Sequence, residues 1–216
     1  MGTKERILEA AIDLFSERGY GDVGIRDIAR AVGIKESSLY NHFAGKQQLF
    51  EAILEELQRH LGAVTPSEEQ AAVAMAHISL EQLQEISSLN ARMYFGDERL
   101  LKMWRILSLE RLKNPAVQEL YQKLLIDDPL HYHTALFTML MEAGSMPRMD
   151  PAALATAFYG PVYLTYVRHI ENNRSPRPLD DGVVLGKIAS HMAMMDILLG
   201  SHQRITEREK EHERQE

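Results

Sequence analysis

Cysteine is absent from the 216-residue sequence. This excludes disulfide bonds and cysteine-ligated zinc sites, and it fits a reducing compartment. The longest uncharged run, residues 151–167, contains Gly160 and Pro161 and is shorter than the about 20 apolar residues that a membrane span usually needs. The N-terminus lacks the order of basic, apolar and small residues that marks a signal peptide. We therefore expect a cytoplasmic protein in which this run forms a helix buried on most sides, with a subunit interface as one place for it.

A surplus of basic residues is also missing, because the net charge is −7 and the calculated pI is about 5.7. Taken alone, this balance argues against binding to nucleic acid, which favours a basic surface. However, residues 1–46 hold seven Lys or Arg and seven acids, so the excess of acids lies entirely in the rest of the chain. Any basic face near the N-terminus must therefore come from the arrangement of these residues in space.

Strand patterns, internal repeats and low-complexity segments are missing as well. Apolar residues instead recur at helical spacing almost everywhere, and glycine or proline repeatedly marks the helix ends. We therefore predict an all-α protein of about nine helices. In the N-terminal part of the chain, the predicted apolar stripes are Ile7, Ala11, Leu14 and Phe15, then Ile25, Ile28, Ala29 and Val32, then Leu39 and Phe43, and finally Leu49, Ile53 and Leu57.

Several later helix starts are marked by a proline in the first turn behind a capping residue. The predicted starts are Thr65-Pro66, Asn114-Pro115, Asp128-Pro129 and Asp150-Pro151, with another at Asp97. The predicted stops are Gly144, Asn172–Asn173 and Gly200. Residues 206–216 are almost all charged, so we expect a frayed tail there.

Residues 33–43, GIKESSLYNHF, carry two adjacent serines where an isolated helix would favour Ala, Leu or Glu. With the two amphipathic segments before them, they predict helices of roughly 15, 8 and 7 residues joined by glycine-bearing turns, which is the helix-turn-helix pattern. The small core would consist of Ile28, Ala29, Ile34 and Leu39, and the outward side chains would be Lys35, Glu36, Ser37, Ser38, Asn41 and His42. Their short hydrogen-bonding groups suit a helix lying in a DNA major groove about 12 Å wide.

Four stretches between residue 3 and about residue 56 carry a family resemblance. They are TKERILEAAIDLFSERGY, IRDIARAVGI, SSLYNHF and GKQQLFEAIL, and together they resemble the TetR family of transcriptional regulators. The resemblance implies a helix-turn-helix DNA-binding domain at 1–61 with the motif at 24–43, a ligand-binding and dimerisation domain at 62–205, and the tail. It also implies that Tyr40 and Lys46 contact phosphates and that the first turn of the fourth helix presents its amides to DNA.

Two positions depart from the family's usual pattern. Gly24 stands where a Thr or Ser commonly caps the second helix, so that cap and a hydroxyl contact to phosphate are missing. Glu36 places an acid near the DNA, where it would either accept a hydrogen bond from a cytosine amino group or point to solvent. The candidate DNA-binding residues are Arg26, Lys35, Glu36, Ser37, Ser38, Tyr40, Asn41, His42 and Lys46.

Homodimerisation is the second implication of the resemblance, since the last two long helices of this family form the dimer. Residues 151–172 and 180–200 are apolar and rich in small residues, which permits close helix packing. Two such helices from each subunit would form a four-helix bundle. The alternative is that both are only the core of one chain. We predict a homodimer through residues 151–200.

A pocket for a small-molecule effector is the third implication. Methionine and aromatic residues concentrate in the middle and late helices, which suits an adaptable apolar cavity, although such residues at helical spacing are more often plain core. The tentative ligand contacts are Arg92, Met93, Phe95, Met103, Trp104, His133, Phe137, Met141, Tyr163 and Tyr166. We expect an apolar or aromatic effector that changes the spacing of the two DNA-binding domains.

Signals for catalysis or metal binding are weak. Residues 19–24, GYGDVG, satisfy G-x-G-x-x-G, but a helix rather than a strand precedes them, so we do not predict dinucleotide binding. His131 and His133 cannot present both rings on one helical face, and no further ligand stands at a suitable spacing. We predict a protein that is not an enzyme and has neither a metal site nor a cofactor.

The resulting functional hypothesis is a repressor that occupies a pseudo-palindromic operator in double-stranded DNA and is released when its effector binds. Two alternatives stay open. One is an activator or nucleoid-type binder without ligand control. The other is an all-α catalytic or protein-binding module whose helix-turn-helix domain is vestigial.

Overall fold

A computed structural model describes residues 2–64, 94–144 and 146–173, and the single positions 85, 177, 178, 182, 186, 190, 191 and 193. These parts of the chain form eight α-helices and no strand, and the predicted all-α class is confirmed. The helices are α1 (Thr3–Arg18), α2 (Ile25–Val32), α3 (Glu36–Tyr40), α4 (Lys46–Val64), α5 (Glu98–Glu110), α6 (Pro115–Gln122), α7 (Asp128–Glu142) and α8 (Pro151–Tyr166). π-Helical turns at Lys123–Asp127 and Val167–Glu171 follow α6 and α8.

The chain divides into two compact units. The first comprises Met1–Thr65, Asp97–Ile126 and Leu164–Pro178, and the second comprises Pro66–Gly96, Asp127–Tyr163 and Leu179–Glu216. The first unit therefore combines the N-terminal helices with α5 and α6. The predicted domain boundary between residues 61 and 62 stays a prediction.

The core of the N-terminal helices follows the predicted apolar stripes. The buried side chains are Ile7, Ala11, Ile12, Phe15, Val23, Ile28, Ala29, Val32, Leu39, Phe43, Leu49, Phe50, Ile53, Leu57 and Leu61. On α1 the prediction was partly wrong, because Leu14 is only half-buried and Ile12 is fully buried. α1 packs against α5 as well as α2 and α4, so its buried face is wider than one stripe of four residues. Each fully buried side chain of this size contributes about 1.5–3 kcal/mol.

Side-chain caps begin three of the later helices as predicted. Asp97, Asn114 and Asp150 each accept a hydrogen bond from a first-turn backbone amide at 2.9–3.0 Å. α7 does begin at Asp128, but it continues the π-helical turn before it and has no side-chain cap, so the capped start predicted there was wrong. Gly144 follows α7 at φ +74°, as expected for a stop. The predicted start at Thr65-Pro66, the stop at Gly200 and the tail at 206–216 lie outside the described residues.

The second unit has its own apolar cluster between α7 and α8. Its buried members are Leu136, Phe137, Leu140, Met141, Leu154, Ala155 and Phe158. Phe137 and Phe158 meet edge to face with ring centroids 5.4 Å apart, an arrangement favoured by the ring quadrupoles. This cluster therefore holds the two helices together within the second unit.

One face of α8 is open in the single chain, whereas we expected burial on most sides. The exposed positions on the helix are Ala152, Ala153, Thr156, Ala157, Gly160, Pro161 and Leu164. Leu164 is 66% exposed, which is unusual for a large apolar side chain. Among the described residues, no helix has both the length and the apolar character that crossing a membrane requires.

Candidate nucleic-acid interface

The turn between α2 and α3 is fixed by a glycine in the left-handed region. Gly33 has φ +76° and ψ +34°, a conformation that side chains with a Cβ rarely adopt. The Ile34 amide donates back to the Ala29 carbonyl at 3.0 Å, and Leu39 anchors α3 in the core. The predicted turn is therefore present, and of its predicted core Ile28, Ala29 and Leu39 are buried while Ile34 is only half-buried.

α3 is a short helix that presents polar side chains to solvent. It spans five residues instead of the seven predicted, because the amides of His42 and Phe43 both donate to the Leu39 carbonyl, at 2.9 and 3.1 Å, and close the helix early. The side chains of Lys35, Ser37, Tyr40, Asn41 and His42 are exposed, while Glu36 and Ser38 are half-buried. Tyr40 is 52% exposed, so its ring and hydroxyl are available to a binding partner.

Glu36 pairs with Arg26 of the preceding helix. The guanidinium Nε donates to the carboxylate Oε1 at 2.9 Å, and the side chains of Arg26 and Glu36 are 81% and 44% exposed, respectively. The sequence left open whether this acid reads a base or points to solvent. The ion pair offers a further role, since it neutralises the acid on a face that would otherwise repel phosphate. An exposed pair of this kind is worth at most about 1 kcal/mol, so DNA could displace it easily.

Lys46 begins α4 and is half-buried against the loop after α1. Its Nζ donates to the Tyr20 carbonyl at 2.7 Å and lies 4.2 Å from the centroid of the Tyr20 ring. An ammonium has three N–H donors, so two remain after the Tyr20 bond. The first-turn amides of α4 also lack acceptors within the helix, and the helix dipole favours an anion at this end.

The start of α2 is stabilised without a capping side chain. Gly24 has φ −97° and ψ 161° and occupies the N-cap, while Asp27 accepts a hydrogen bond from the Gly24 amide at 2.9 Å. This bond lowers the pKa of Asp27, and the nearby Arg18 and Arg30 lower it further, against the opposing effect of burial. The missing cap that the sequence indicated is therefore partly replaced from the third residue of the helix.

Sequence reasoning missed several contacts that hold this domain together. The Arg6 guanidinium donates to the Val32 carbonyl at 2.6 Å, at the end of α2 where the helix dipole favours a cation. The Lys4 ammonium lies 5.4 Å from the Phe43 ring centroid. Tyr20 was also missed, although its position between two glycines marked the loop. These contacts join residues far apart in sequence, so no local sequence pattern predicts them.

The tentative ligand residues fall into both compact units. Met103, Trp104 and Tyr166 belong to the first unit, where all three are buried. Phe95, His133, Phe137, Met141 and Tyr163 belong to the second unit, where Phe95, Phe137 and Met141 are buried and the other two are half-buried. Arg92 and Met93 lie outside the described residues. The ligand role of the whole set stays a prediction.

His133 sits among aromatic rings in the second unit. Its Nδ1 bonds to the Pro129 carbonyl at 2.7 Å, and its ring centroid lies 5.1 Å from that of Phe158 and 5.9 Å from that of Tyr159. Burial lowers the pKa of His133, although the bond to Pro129 opposes this. Burial also raises the pKa of Tyr159. Both groups are therefore neutral near pH 7, and their surroundings favour contact with apolar or aromatic groups over contact with ions.

Metal ligands do not gather in the part of the chain that the structure describes. No group of three or more His, Cys, Asp or Glu residues there is close enough to hold an ion. His131 is exposed and His133 is half-buried on the same helix. Residues 19–24 form a loop behind α1, as the sequence indicated.

A left-handed glycine between two short helices, with a polar and exposed second helix, defines a helix-turn-helix protein of the all-α class. Residues 7–53 match the family model of bacterial regulatory proteins of the tetR family. The similarity to this family therefore covers residues 7–53, which include α2, α3 and the start of α4.

A curated relative is similar over a stretch of comparable length. The biofilm operon icaADBC HTH-type negative transcriptional regulator IcaR of Staphylococcus aureus (strain Newman) is 48% identical over 48 residues. These residues are 22% of this chain and 26% of the relative. The similarity in sequence therefore spans only about a quarter of that regulator.

Solved structures resemble the chain over most of its length. A TetR family transcriptional regulator from Pseudomonas syringae pv. tomato has a TM-score of 0.63 at 21% identity, with coverage of 89% of this chain and 94% of that one. SmeT in its triclosan complex has a TM-score of 0.59 at 19% identity, with coverage of 88% and 91%. At these identities the likeness concerns the fold alone.

Proposed function

We propose that this protein is a transcriptional regulator that represses genes by binding operator DNA through α3. The observation that carries the proposal is the polar, exposed surface of α3, fixed in place by Gly33 and Leu39 and followed directly by the start of α4. The name of the matched relative IcaR describes a negative regulator, and the family model matches residues 7–53, which include α2 and α3. The function also implies a cytoplasmic location.

Different side chains serve affinity and specificity in this proposal. Lys35, Tyr40 and Lys46 contact phosphates together with the first-turn amides of α4, and Arg26 joins them when it leaves Glu36. Phosphate contacts position the protein but carry no sequence information. Ser37, Ser38, Asn41 and His42 lie on the α3 face and read base edges, with Glu36 as a further candidate.

Two substitutions separate these roles on the DNA upstream of the gene. Tyr40→Phe removes only a hydroxyl and should weaken binding to every sequence by a similar factor of about 3 to 10. Ser38→Ala should instead change which base pairs are preferred, because it alters a base-reading position. Gel shifts on the native intergenic duplex and on single-base variants of it measure both effects. If wild-type protein fails to shift this duplex, the vestigial-domain alternative is favoured.

Homodimerisation through residues 151–200 is part of the proposal. One short helix contacts too few base pairs to define a long site, whereas a two-fold dimer reads two half-sites. The open face of α8, with Ala153, Ala157, Gly160 and Leu164, is apolar and lined mainly by small residues. A second copy of the chain would cover this face and bury Leu164.

The effector in this proposal is a small apolar or aromatic molecule that binds among the helices of the C-terminal part. The aromatic surroundings of His133 support this class, and SmeT, which shares the fold, forms a complex with triclosan. Because Trp104 is the single tryptophan of the chain, its fluorescence offers a direct readout of changes around α5.

A panel that includes triclosan tests the effector proposal. A true effector should raise the melting temperature, with a stabilisation that grows as the logarithm of its concentration over Kd. It should also change the Trp104 fluorescence and weaken binding to the operator duplex. Uniformly flat melting temperatures across an apolar and aromatic panel would count against a pocket. They would favour the alternative of a DNA binder without ligand control.

A further inference from the structure

The loop at residues 19–24 approaches the buried end of α5. Gly19 has φ +81°, and the Tyr20 amide donates to Oε1 of Glu110 at 3.0 Å. A Cβ at position 19 would lie 3.3 Å from the same carboxylate oxygen, and a residue that carries one would be strained at this positive φ. Glycine at this position therefore allows the carboxylate to come close enough to hold the loop.

The other side of the loop contacts the start of α4. The Tyr20 carbonyl accepts from Lys46 Nζ at 2.7 Å, and the Tyr20 hydroxyl donates to Oε1 of Gln47 at 3.0 Å. The Tyr20 ring packs against Phe15 and Phe50, with centroids 5.5 and 4.8 Å away. Tyr20 is thus bonded through its amide to α5 and through its carbonyl and hydroxyl to the first two residues of α4.

Glu110 is buried, with only 5% of the residue exposed. A buried carboxylate is costly unless hydrogen bonds or charges compensate it. The Tyr20 amide provides such a bond, and the Lys113 ammonium, whose side chain is 67% exposed, lies 3.7 Å away. The pKa of Tyr20 is raised by burial first and by the charge of Glu110 second. The Glu110 carboxylate therefore interacts with Tyr20 both through the hydrogen bond to its amide and through the effect of its charge on the hydroxyl.

We infer that Glu110 is a positioning residue for DNA binding, acting through Tyr20 on Lys46. Its carboxylate fixes the Tyr20 backbone, and the Tyr20 carbonyl in turn fixes the Lys46 ammonium at the start of α4. The two remaining Lys46 N–H groups are then held ready for a phosphate. This inference rests on the proposed function, and it extends the DNA site to a residue of α5. We name these three residues the Glu110–Tyr20–Lys46 relay.

Salt-dependent DNA affinity of the full-length protein tests the relay. The probe is a duplex that wild-type protein selects from a random-sequence library. Its affinity is measured between 50 and 200 mM salt. Over this range a protein with 6–10 phosphate contacts loses about 10³–10⁵-fold in affinity. Lys46→Met keeps the stem and removes the ammonium. It should reduce the slope of log K against log salt by about 0.9 for each DNA-binding domain.

Glu110→Ala should lower affinity about five- to twentyfold and shift the salt slope part of the way toward that of Lys46→Met, since the ammonium is present but no longer held. A loss of folded protein alone would lower the active fraction and leave the slope unchanged. Glu110→Gln keeps an oxygen acceptor for the Tyr20 amide and should remain within about twofold of wild type. Lys113→Ala is the matched control, because it removes the exposed partner of Glu110, and it should also remain within about twofold.

The double variant is the decisive comparison. In the Lys46→Met background, Glu110→Ala should change affinity by less than about twofold, because Glu110 acts only through Lys46. Full multiplication of the two effects, an unchanged slope in Glu110→Ala, or wild-type affinity in that variant would each overturn the relay.

The proposed function and the relay fail in different ways. If wild-type protein selects no duplex, the proposed function is wrong and the phosphate role of Lys46 is wrong with it. If wild-type protein binds but Glu110→Ala binds equally well, only the relay is wrong. Hydrogen exchange gives a readout without DNA. Glu110→Ala should speed exchange at residues 19–24 and at the start of α4, Lys113→Ala should not, and equal exchange in both would also refute the relay.

Discussion

Single side chains determine how α3 meets its partner. Tyr40 is half exposed although it follows the fully buried Leu39, so the two neighbours separate the core from the binding face. Glu36 is balanced by Arg26, and the start of α2 depends on Asp27. At this scale the sequence predicted the outward direction of Lys35, Ser37, Asn41 and His42, because helical spacing decides that, whereas Glu36 and Ser38 are half-buried. It did not predict their partners, since the ion pair and the Lys46–Tyr20 bond join residues 10 and 26 positions apart.

The stability contributed by Asp27 should depend on pH. Its pKa is lowered in the folded state from the ordinary value of 3.8, first by the Gly24 amide bond. A lowered carboxyl pKa stabilises the fold above the unfolded-state value, and this stabilisation is lost as pH falls through the folded-state value. Asp27→Asn should therefore be less stable than wild type at pH 7, with a difference that shrinks below about pH 4.

Urea denaturation of both proteins at pH 7 and at pH 3 measures this difference. Asp22→Asn is the control, because it makes the same charge change in the exposed loop before α2. The hydrogen bond from the Arg18 guanidinium goes to the backbone carbonyl of Asp22, so the substitution leaves that acceptor in place. A difference between Asp27→Asn and wild type that stays constant with pH would contradict the assigned role.

Whole helices of the first unit are joined by polar contacts as well as by the core. Arg99 of α5 binds Glu9 of α1 and Glu56 of α4, with one Glu56 bond at 2.9 Å. The bond to Glu56 is the main cause that raises the pKa of Arg99, against the opposing effect of burial. Lys102 of α5 makes more exposed pairs. α5 is thus fixed to the two helices on either side of the helix-turn-helix motif.

Removing the charge of Arg99 should destabilise the protein more than removing that of Lys102. Arg99→Met leaves two carboxylates facing each other and should cost about 1–2 kcal/mol. The partners of Lys102, Asp13 and Glu98, are 53% and 56% exposed, so Lys102→Met should cost about 0.5 kcal/mol or less. Chemical denaturation of the two variants gives both values. Equal losses would mean that the Arg99 network does not join the helices as described.

Helix positions were predictable where one apolar face repeats, and less so where neighbouring helices bond. The apolar spacing and capping residues predicted α2, α4 and the starts of α5, α6 and α8. The start at Asp128 was interpreted as capped because Pro129 marks a first turn. Proline has no N–H to donate, so it fits a first turn that starts a new helix as well as one that continues a π-helical turn. The sequence pattern therefore could not reveal the continuous turn before Asp128. The burial of Glu110 was also not predicted from the sequence, since an acidic residue in a helix usually faces solvent.

At the scale of the whole molecule, the open face of α8 supports the proposed homodimer. Leu164 is 66% exposed in the single chain, and it follows Ala153, Ala157 and Gly160 along one side of the helix. Burying such a side chain would contribute about 1.5–3 kcal/mol per copy. The small residues of 151–200 led us to predict the dimer interface there, and this stays a prediction. The sequence could not show which face would be open, because burial depends on how the chain packs on itself.

Leu164→Asp should convert the protein to a monomer, since a carboxylate in the apolar interface would be desolvated without a partner. Sedimentation velocity should then give half the wild-type mass. Leu112→Asp is the matched control, because Leu112 is 85% exposed but lies outside the predicted dimer segment, and that variant should keep the wild-type mass. A Leu164→Asp protein that sediments like wild type would place the interface elsewhere.

Selection of duplexes from a random-sequence DNA library by the wild-type protein tests the central claim most directly. The account predicts enrichment of an inverted repeat whose half-sites lie one helical turn or a multiple of it apart, about 10 base pairs or a multiple, with binding that weakens steeply as salt rises. Tyr40→Phe should bind the same repeat more weakly. If no sequence is enriched, α3 is not the DNA-reading element. If only Tyr40→Phe binds the selected DNA as tightly as wild type, the phosphate contact assigned to the Tyr40 hydroxyl is wrong.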